Sequence, residues 1–598
     1  MKNNFATLSL FIGFILCAFF TVPSFSATVD SHEQAVKKMK KSPGKTTYYV
    51  DPQNGKDTAS GRGEDRAWKT FLPLSKIKLS AGDTVVVAPG THEQTLSVAN
   101  GAGTTKSPIT IKFLSGKHIF AKGNLRSGIF NISNTNDRPN EPKAVAIRIY
   151  RTKNISVVGE KNAEILMEGK TIYVVIDRSQ DVELNGLAFD YLHPTVGEFR
   201  ITAHNGNTLD ASVPKEISYT VRDGKLTWTG PGWSFPLGGF IKFFNPDSGT
   251  FSNGNFDPSQ TRVEELSPGK LRIHYNSEAP NLSVGQVLQN RDTTRDCVGF
   301  LQRESKNIRW SDCKIYSIHG MGVVSQFSEN ISFDKLAVRP RENSERTNVA
   351  WADILHFSGC KGVIDITDSL LSCSHDDAVN VHGTHLRVVE RVNDKTLVVR
   401  FMHKQTFGFQ AFFPGDEVEF VHGKSLQAFG ENVVSAVEML DDRRIKLTFK
   451  NSVPKNFEPE DAVENVTWTP SVNISNVTVL NVPTRGFLVT TRRPVVIEKC
   501  TFKRTGMSAI LVEDDASGWF ESGPVKNMII RKNKFIECAE PVININPHAT
   551  EGNAPVHKNI RIERNTFKLV GNKAIRAHHA ENVTESGNNL PKSAVEIR

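Results

Sequence analysis

Short segments of alternating apolar and polar residues recur along this chain, and many of them open on asparagine. Asn154-Ile-Ser-Val-Val158, Asn307-Ile-Arg-Trp-Ser-Asp-Cys-Lys-Ile315, Asn330-Ile-Ser-Phe-Asp-Lys-Leu-Ala-Val338 and Asn559-Ile-Arg-Ile-Glu-Arg-Asn-Thr-Phe567 share one template. It reads asparagine, apolar, any, apolar, a polar or cysteine corner, then apolar again. A period of two marks strands, so each unit predicts two strands joined by a tight corner. Asn307 and Asn330 are 23 residues apart, Asn527 and Asn559 32. A constant strand motif at unequal spacing is what loops of different length on one face of a stack produce. Helical periodicity is missing, which argues against leucine-rich and helical solenoids. A propeller needs four-stranded blades at a longer period. The pattern predicts an all-β chain, a right-handed parallel β-helix.

The start of the stack is marked differently. Thr47-Tyr-Tyr-Val50, Trp68-Lys-Thr70 and Ala81-Gly-Asp-Thr-Val-Val-Val-Ala-Pro-Gly90 read as strand, turn, short helix (about Phe71–Lys78), turn and strand. This order resembles the opening cap of secreted pectate-lyase-like β-helix proteins. A cap is needed because the first coil of a stack otherwise exposes a sheet edge and an apolar end. Two segments break the rhythm, 195–298 and 384–469. Both contain longer alternating strands around Pro-Gly, Asn-Asp or Asp-Asp turns, the signature of hairpins. Each predicts a small inserted antiparallel β-barrel, and their likeness suggests a duplicated module. The expected division is 1–26 signal peptide, 27–45 leader, 46–194 capped β-helix, 195–298 barrel, 299–383 helix coils carrying the chemistry, 384–469 barrel and 470–598 final coils.

Composition narrows this little. The 598 residues are 38% apolar and carry a net charge of +9. No basic stripe with interleaved aromatics stands out, which argues against nucleic acid as a partner. Lys2, the apolar run Leu8–Phe20 and Ser24-Phe-Ser26 read as a cleaved export signal, placing the protein in the periplasm or outside the cell. No other stretch is long and apolar enough to insert stably in a membrane. The six cysteines beyond this signal (Cys297, Cys313, Cys360, Cys373, Cys500 and Cys538) are sparse for a disulfide scaffold and read as buried thiols. Oligomeric state is left open, a homodimer included.

The chemistry is concentrated in Trp351-Ala-Asp-Ile-Leu-His-Phe357 and Ser374-His-Asp-Asp-Ala-Val-Asn-Val-His-Gly383. Asp353 and Asp376 are 23 residues apart, one coil, and so are expected to stack about 4.8 Å apart, with Asp377 at a bend beside them. Three carboxyls this close repel, which raises at least one toward what a general acid needs while the others activate water. The expected roles are Asp377 or Asp353 as acid and Asp376, with its neighbour, as base. His356, His375 and His382 flank the trio and are expected to bind substrate. Glu513, Asp514, Trp519 and Glu521 lie later in the stack as sugar-binding candidates, a tryptophan face and carboxylates being groups that grip a sugar. Arg341 is a candidate for orienting the carboxylates. Arg492-Arg493 reads as a solvated basic corner. No metal or cofactor is expected.

The trio across adjacent coils is similar to that of polygalacturonases. A closer resemblance is carried by Asn348–Cys360, Ser374–Gly383 and Ile510-Leu-Val-Glu-Asp-Asp-Ala-Ser-Gly-Trp-Phe-Glu-Ser-Gly523. These look like glycoside hydrolase family 110, the bacterial exo-acting α-1,3-galactosidases, over nearly the whole mature chain. The resemblance implies metal-free removal of terminal α-1,3-linked galactose with inversion. It also implies glycans of the branched blood-group B type as substrates, and linear ones for one subgroup. A polygalacturonase-like hydrolase or lyase on uronate polymers, and a non-catalytic glycan-binding β-helix, remain the alternatives.

Overall fold

The computed structural model describes residues 39–252 and 256–598; the export signal expected at 1–26 lies outside them. The recurring template forms three long parallel sheets, and a typical coil contributes one strand to each. The first sheet has 13 strands and collects the first half of the template, including Lys153–Gly159, Lys306–Ser311, Glu329–Asp334 and His557–Glu563. The second has 11 strands and takes the residues after the corner, as in Lys314–Ile315 and Thr566–Lys568. The third runs through Met321–Gln326, Leu355–Ser358, the start of Val379–Asn393, Phe487–Val489 and Ile510–Val512. Inward side chains such as Ile308, Trp310, Ile331, Phe333, Val379 and Phe487 build one continuous core along the stack.

The asparagines of the template have a conformational reason. Asn154, Asn307, Asn330 and Asn559 hold φ between 49° and 56°, the left-handed region that asparagine tolerates better than most residues. Their amides also ladder between coils: Asn330 donates to Asn307 at 3.0 Å and Asn307 to Asp181 at 2.7 Å. The six cysteines among the described residues are free and buried. Two local expectations fail. The short helix at Phe71–Lys78 is only a 3-10 turn, Leu74–Lys76, and Ile77–Lys78 then pairs with Lys40–Lys41. That pairing also makes Lys40–Lys41 an edge strand rather than loose leader.

Both interruptions are antiparallel. The first places strands from Val196–Asn205 to Val287–Arg291 in a seven-stranded sheet, with a three-stranded sheet (Tyr219–Arg222, Lys225–Gly230, Trp233–Pro236) packed on the same core around Phe199 and Trp228. In the second, six strands close on themselves, from Val379–Asn393 around to Ala462–Asn465 and back. Val379–Asn393 begins as a rung of the third sheet and continues into this barrel, so the barrel grows directly out of the coil carrying Asp376 and Asp377. No helix among the described residues is long and apolar enough to cross a membrane.

Candidate active site

The register of the third sheet decides which side chains meet. Leu355 pairs with Val379, a step of 24 residues, and Val379 pairs with Phe487. Two residues before each of these stand Asp353, Asp377 and Arg485, counterparts in successive coils. The 23-residue spacing of Asp353 and Asp376 is thus one short of the register, and Asp377 rather than Asp376 is the stacked partner of Asp353. His375–Ala378 form a bend, not a strand, so Asp376 and Asp377 both reach the same spot. An oxygen of each of the three carboxyls lies within 4.8 Å of the others.

Each carboxyl has a different partner. Asp377, fully buried, accepts from Arg485 Nε at 2.9 Å to both of its oxygens, from Nη2 at 2.7 Å and from the Arg485 backbone N–H at 3.1 Å. Asp376 faces the guanidinium of Arg295 at 3.3 Å, with Arg485 at 3.9 Å. Among the described residues no lysine or arginine is in hydrogen-bond contact with Asp353. Its Oδ2 lies 2.8 Å from His356 Nδ1. Burial, with the charge of Asp376 next, pushes the Asp353 carboxyl up to about 7. Burial raises Asp377 as well, but a neutral Asp377 would strand the guanidinium of Arg485, which its carboxylate partners hold protonated. Of the two, Asp353 is therefore the carboxyl that keeps a proton. Carboxylates this close often share a cation, and here the guanidiniums of Arg295 and Arg485 supply the positive charge.

Asp353 and Asp376 open on a pocket lined also by Asn380 and Leu488 of the third sheet and by Thr490 just past its strand. Its walls come from distant parts of the chain. Glu513, Asp515, Trp519 and Glu521 belong to one loop. Asp515 organises that loop by accepting the backbone N–H groups of Ser517 and Gly518, at 2.7 and 2.9 Å, and that of Trp519. Trp519, 44% exposed, rests on His403 of the second barrel, ring centres 4.2 Å apart. Asn134 reaches over from an early loop, donating to Glu521 at 2.8 Å. Burial raises the Glu513 carboxyl to about 7 against the pull of Arg485. Asn380 Oδ1 is buried at the pocket floor without a hydrogen-bond partner, a free acceptor for a sugar hydroxyl.

The expected site residues separate accordingly. Asp353, Asp376, Glu513, Trp519 and Glu521 line the pocket. Asp377 stands behind it. His356 and His382 are also behind Asp353, buried, and do not reach sugar. Three expectations are corrected. His375 points the other way, its Nε2 2.7 Å from Gln289 Oε1 and its ring against Phe240 of the first insert. Asp514, two residues past the strand Ile510–Val512, is buried away from the pocket and paired with His385 at 3.0 Å, while its neighbour Glu513 lines the pocket. Arg341 belongs to a separate cluster with Glu164 and Asp190 and never approaches the carboxyl trio. The Arg492 corner is likewise not solvated: its guanidinium is buried between Glu419 and Glu464.

Sequence reasoning missed Asn134, Arg295, Asn380, Arg485, Thr490 and Asp515. Asn380 could have been read from the alternation in Ala-Val-Asn-Val-His382, which sends Asn380 outward with His382. Arg485 is masked by the second insert. Asn134 and Arg295 lie in loops without periodicity.

Comparison with known proteins bears on the whole chain. Residues 197–288 match the family model "GLAA-B beta-barrel domain I" and 396–463 match "GLAA-B beta-barrel domain II". An alpha-1,3-galactosidase A of Akkermansia muciniphila is 51% identical over 93% of this chain and 95% of its own. An alpha-1,3-galactosidase B of Parabacteroides distasonis is 31% identical over 77% of this chain and 78% of its own. A solved rhamnogalacturonan lyase aligns over 92% of this chain and 87% of its own at 10% identity, with a TM-score of 0.35.

Proposed function

The chain belongs to the alpha-1,3-galactosidase family, glycoside hydrolase family 110, and we propose that it releases the galactose with inversion at the anomeric carbon. It is a glycoside hydrolase acting on α-1,3-linked galactose. The observation that carries the mechanism is the unequal pairing of two adjacent pocket carboxyls. Asp353, against a histidine, keeps its proton; Asp376 lies against Arg295. Asp353 is then the acid that protonates the departing oxygen, and Asp376 the base that draws a proton from the attacking water. Inverting pairs that straddle the sugar normally stand about 6.5–9.5 Å apart. This trio is tighter, so its acid and base act from one wall of the pocket.

The reading extends to branched glycans of the blood-group B type. A neighbouring sugar would lie against Trp519 and His403 at the mouth. It extends also to export through residues 1–26, which fractionation of expressing cells would test. The decisive experiment follows release of galactose from a terminal α-1,3-galactosyl oligosaccharide by proton NMR. β-Galactose is expected first. Initial α-galactose overturns inversion, and no release overturns the activity. Comparing kcat/KM on branched and linear substrates tests the specificity.

A further inference from the structure

His356 and His382 are buried behind Asp353 and do not themselves line the pocket, yet they form a directed chain. His382 Nδ1 lies 2.6 Å from the carbonyl oxygen of Gly383. A carbonyl only accepts, so His382 Nδ1 carries a hydrogen. With His382 taken as uncharged, its other nitrogen, Nε2, is an acceptor, and it lies 3.2 Å from His356 Nε2. His356 must therefore donate from Nε2. Neutral His356, whose charged form burial disfavours, is left with a lone pair on Nδ1, which faces Asp353 Oδ2 at 2.8 Å. That contact needs a hydrogen, and only Asp353 remains to supply it.

We propose that His356 and His382 are positioning residues that hold Asp353 protonated by presenting it with an acceptor, through a chain anchored on the Gly383 carbonyl. The proposal rests on Asp353 as the acid. The anchor is itself fixed: Gly383 pairs with Ser522, and a Cβ on Gly383 would lie 2.4 Å from Ser522 Oγ. The charged groups facing Asp353 are Asp376, Asp377, Glu521, Arg295 and Arg485. Glu521 also lies 3.6 Å from His382 Nε2.

In turnover the Asp353 hydroxyl turns from His356 to the glycosidic oxygen and gives up its proton as the C1–O bond breaks. Water forms the new C1–O bond and its proton passes to Asp376. One proton then returns from Asp376 to Asp353 across the carboxyl cluster, and the net reaction adds one water. Without the proton, Asp353 would face the lone pair of His356, so the chain favours the return.

Two measurements test this. Neutron diffraction from deuterium-exchanged crystals at pH 6 should show deuterium on Asp353 Oδ2 and His356 Nε2 and none on His356 Nδ1; deuterium on Nδ1 overturns the chain. Independently, His356→Phe removes the acceptor, so the alkaline limb of kcat should move down by about one pH unit, with KM unchanged. Were His356 donating to an Asp353 anion instead, the limb would move up, and an upward or absent shift overturns the proposal. If His356→Phe fails to fold, the deuterium positions decide alone. Full activity of Asp353→Asn would remove Asp353 from the reaction, while the diffraction result would still judge the chain.

Discussion

Replacing Arg485 with methionine is the sharpest perturbation of the carboxyl cluster. Arg485→Met removes the side-chain donors at 2.7–2.9 Å from Asp377, whose carboxyl is fully buried. Taking one partner from a buried pair costs about 3–5 kcal/mol, because the other charge is left uncompensated. The same guanidinium lies 3.9 Å from Asp376. At an effective dielectric constant of about 20, that separation corresponds to about 4 kcal/mol of lost attraction. The cluster then gains affinity for a further proton, by up to about three pH units. The acid limb of kcat/KM should move upward by up to about three pH units, so activity should fall most steeply on the acid side. A stacked fold opens locally before it unfolds globally, so the stability loss is best read by hydrogen exchange. Peptides covering Ser374–Gly383 and Arg485–Val489 should exchange about 10²–10³-fold faster, with distant coils unchanged. Adding Asp377→Asn to Arg485→Met should restore most of the protection, since both charges are then gone, but not the activity. Unchanged exchange in the single variant would refute the account of how this site is held.

Three further outcomes follow from the geometry. Asp353→Asn should lower kcat about 10²–10⁴-fold with the fold retained. Asp353 holds its proton up to about pH 7 when folded, against an unfolded value of 3.8. The native state therefore binds the proton more tightly, and its stability falls as pH rises from about 4 to about 7, by roughly 4 kcal/mol at most. Asp353→Asn escapes this loss, so urea unfolding should find it more stable than wild type at pH 8, with the gap closing near pH 4. Trp519→Ala should raise KM about five- to tenfold and leave kcat nearly unchanged, from loss of an aromatic face worth about 1 kcal/mol. A chelator should leave activity intact, because Arg295 and Arg485 already occupy the carboxyl cluster; loss of activity restored by a divalent cation would contradict that.

The fold was readable because one physical pattern repeats. Alternation in Asn-Ile-x-apolar units marks strands whichever coil they belong to, and asparagine marks the left-handed corner. The site was half readable for the same reason. Its Asp residues stand out in otherwise apolar strands, but their register does not, since a step of 24 cannot be told from 23 without knowing where the chain bends. Arg485 shows the other limit. Take away residues 384–469 and it falls one coil after Asp377, yet in the continuous sequence the barrel separates them. Where alternation continues it is a good guide even against type: it sends Asn380 toward the pocket. Loops such as the one carrying Asn134 obey no period, and only the folded chain brings them to the site.

A parallel stack sets an electrostatic problem at its own active site. Counterpart residues in neighbouring coils stand about one strand spacing apart, so Asp353 and Asp377 would repel if both were charged and buried. Burial alone raises both and cannot choose between them. Their partners choose. Arg485, the counterpart in the next coil, gives Asp377 a guanidinium and makes its charge tolerable. His356, three residues on from Asp353, gives it a nitrogen whose lone pair asks for a proton. The third carboxyl, Asp376, escapes the register through the bend at His375–Ala378 and is the one placed against Arg295, from outside the stack. Acid and base are thus distinguished by what each coil stacks above or beside them. On that argument, exchanging the partners should matter more than exchanging the carboxyls: a histidine at 485 would weaken the hold on Asp377 while leaving all three aspartates in place.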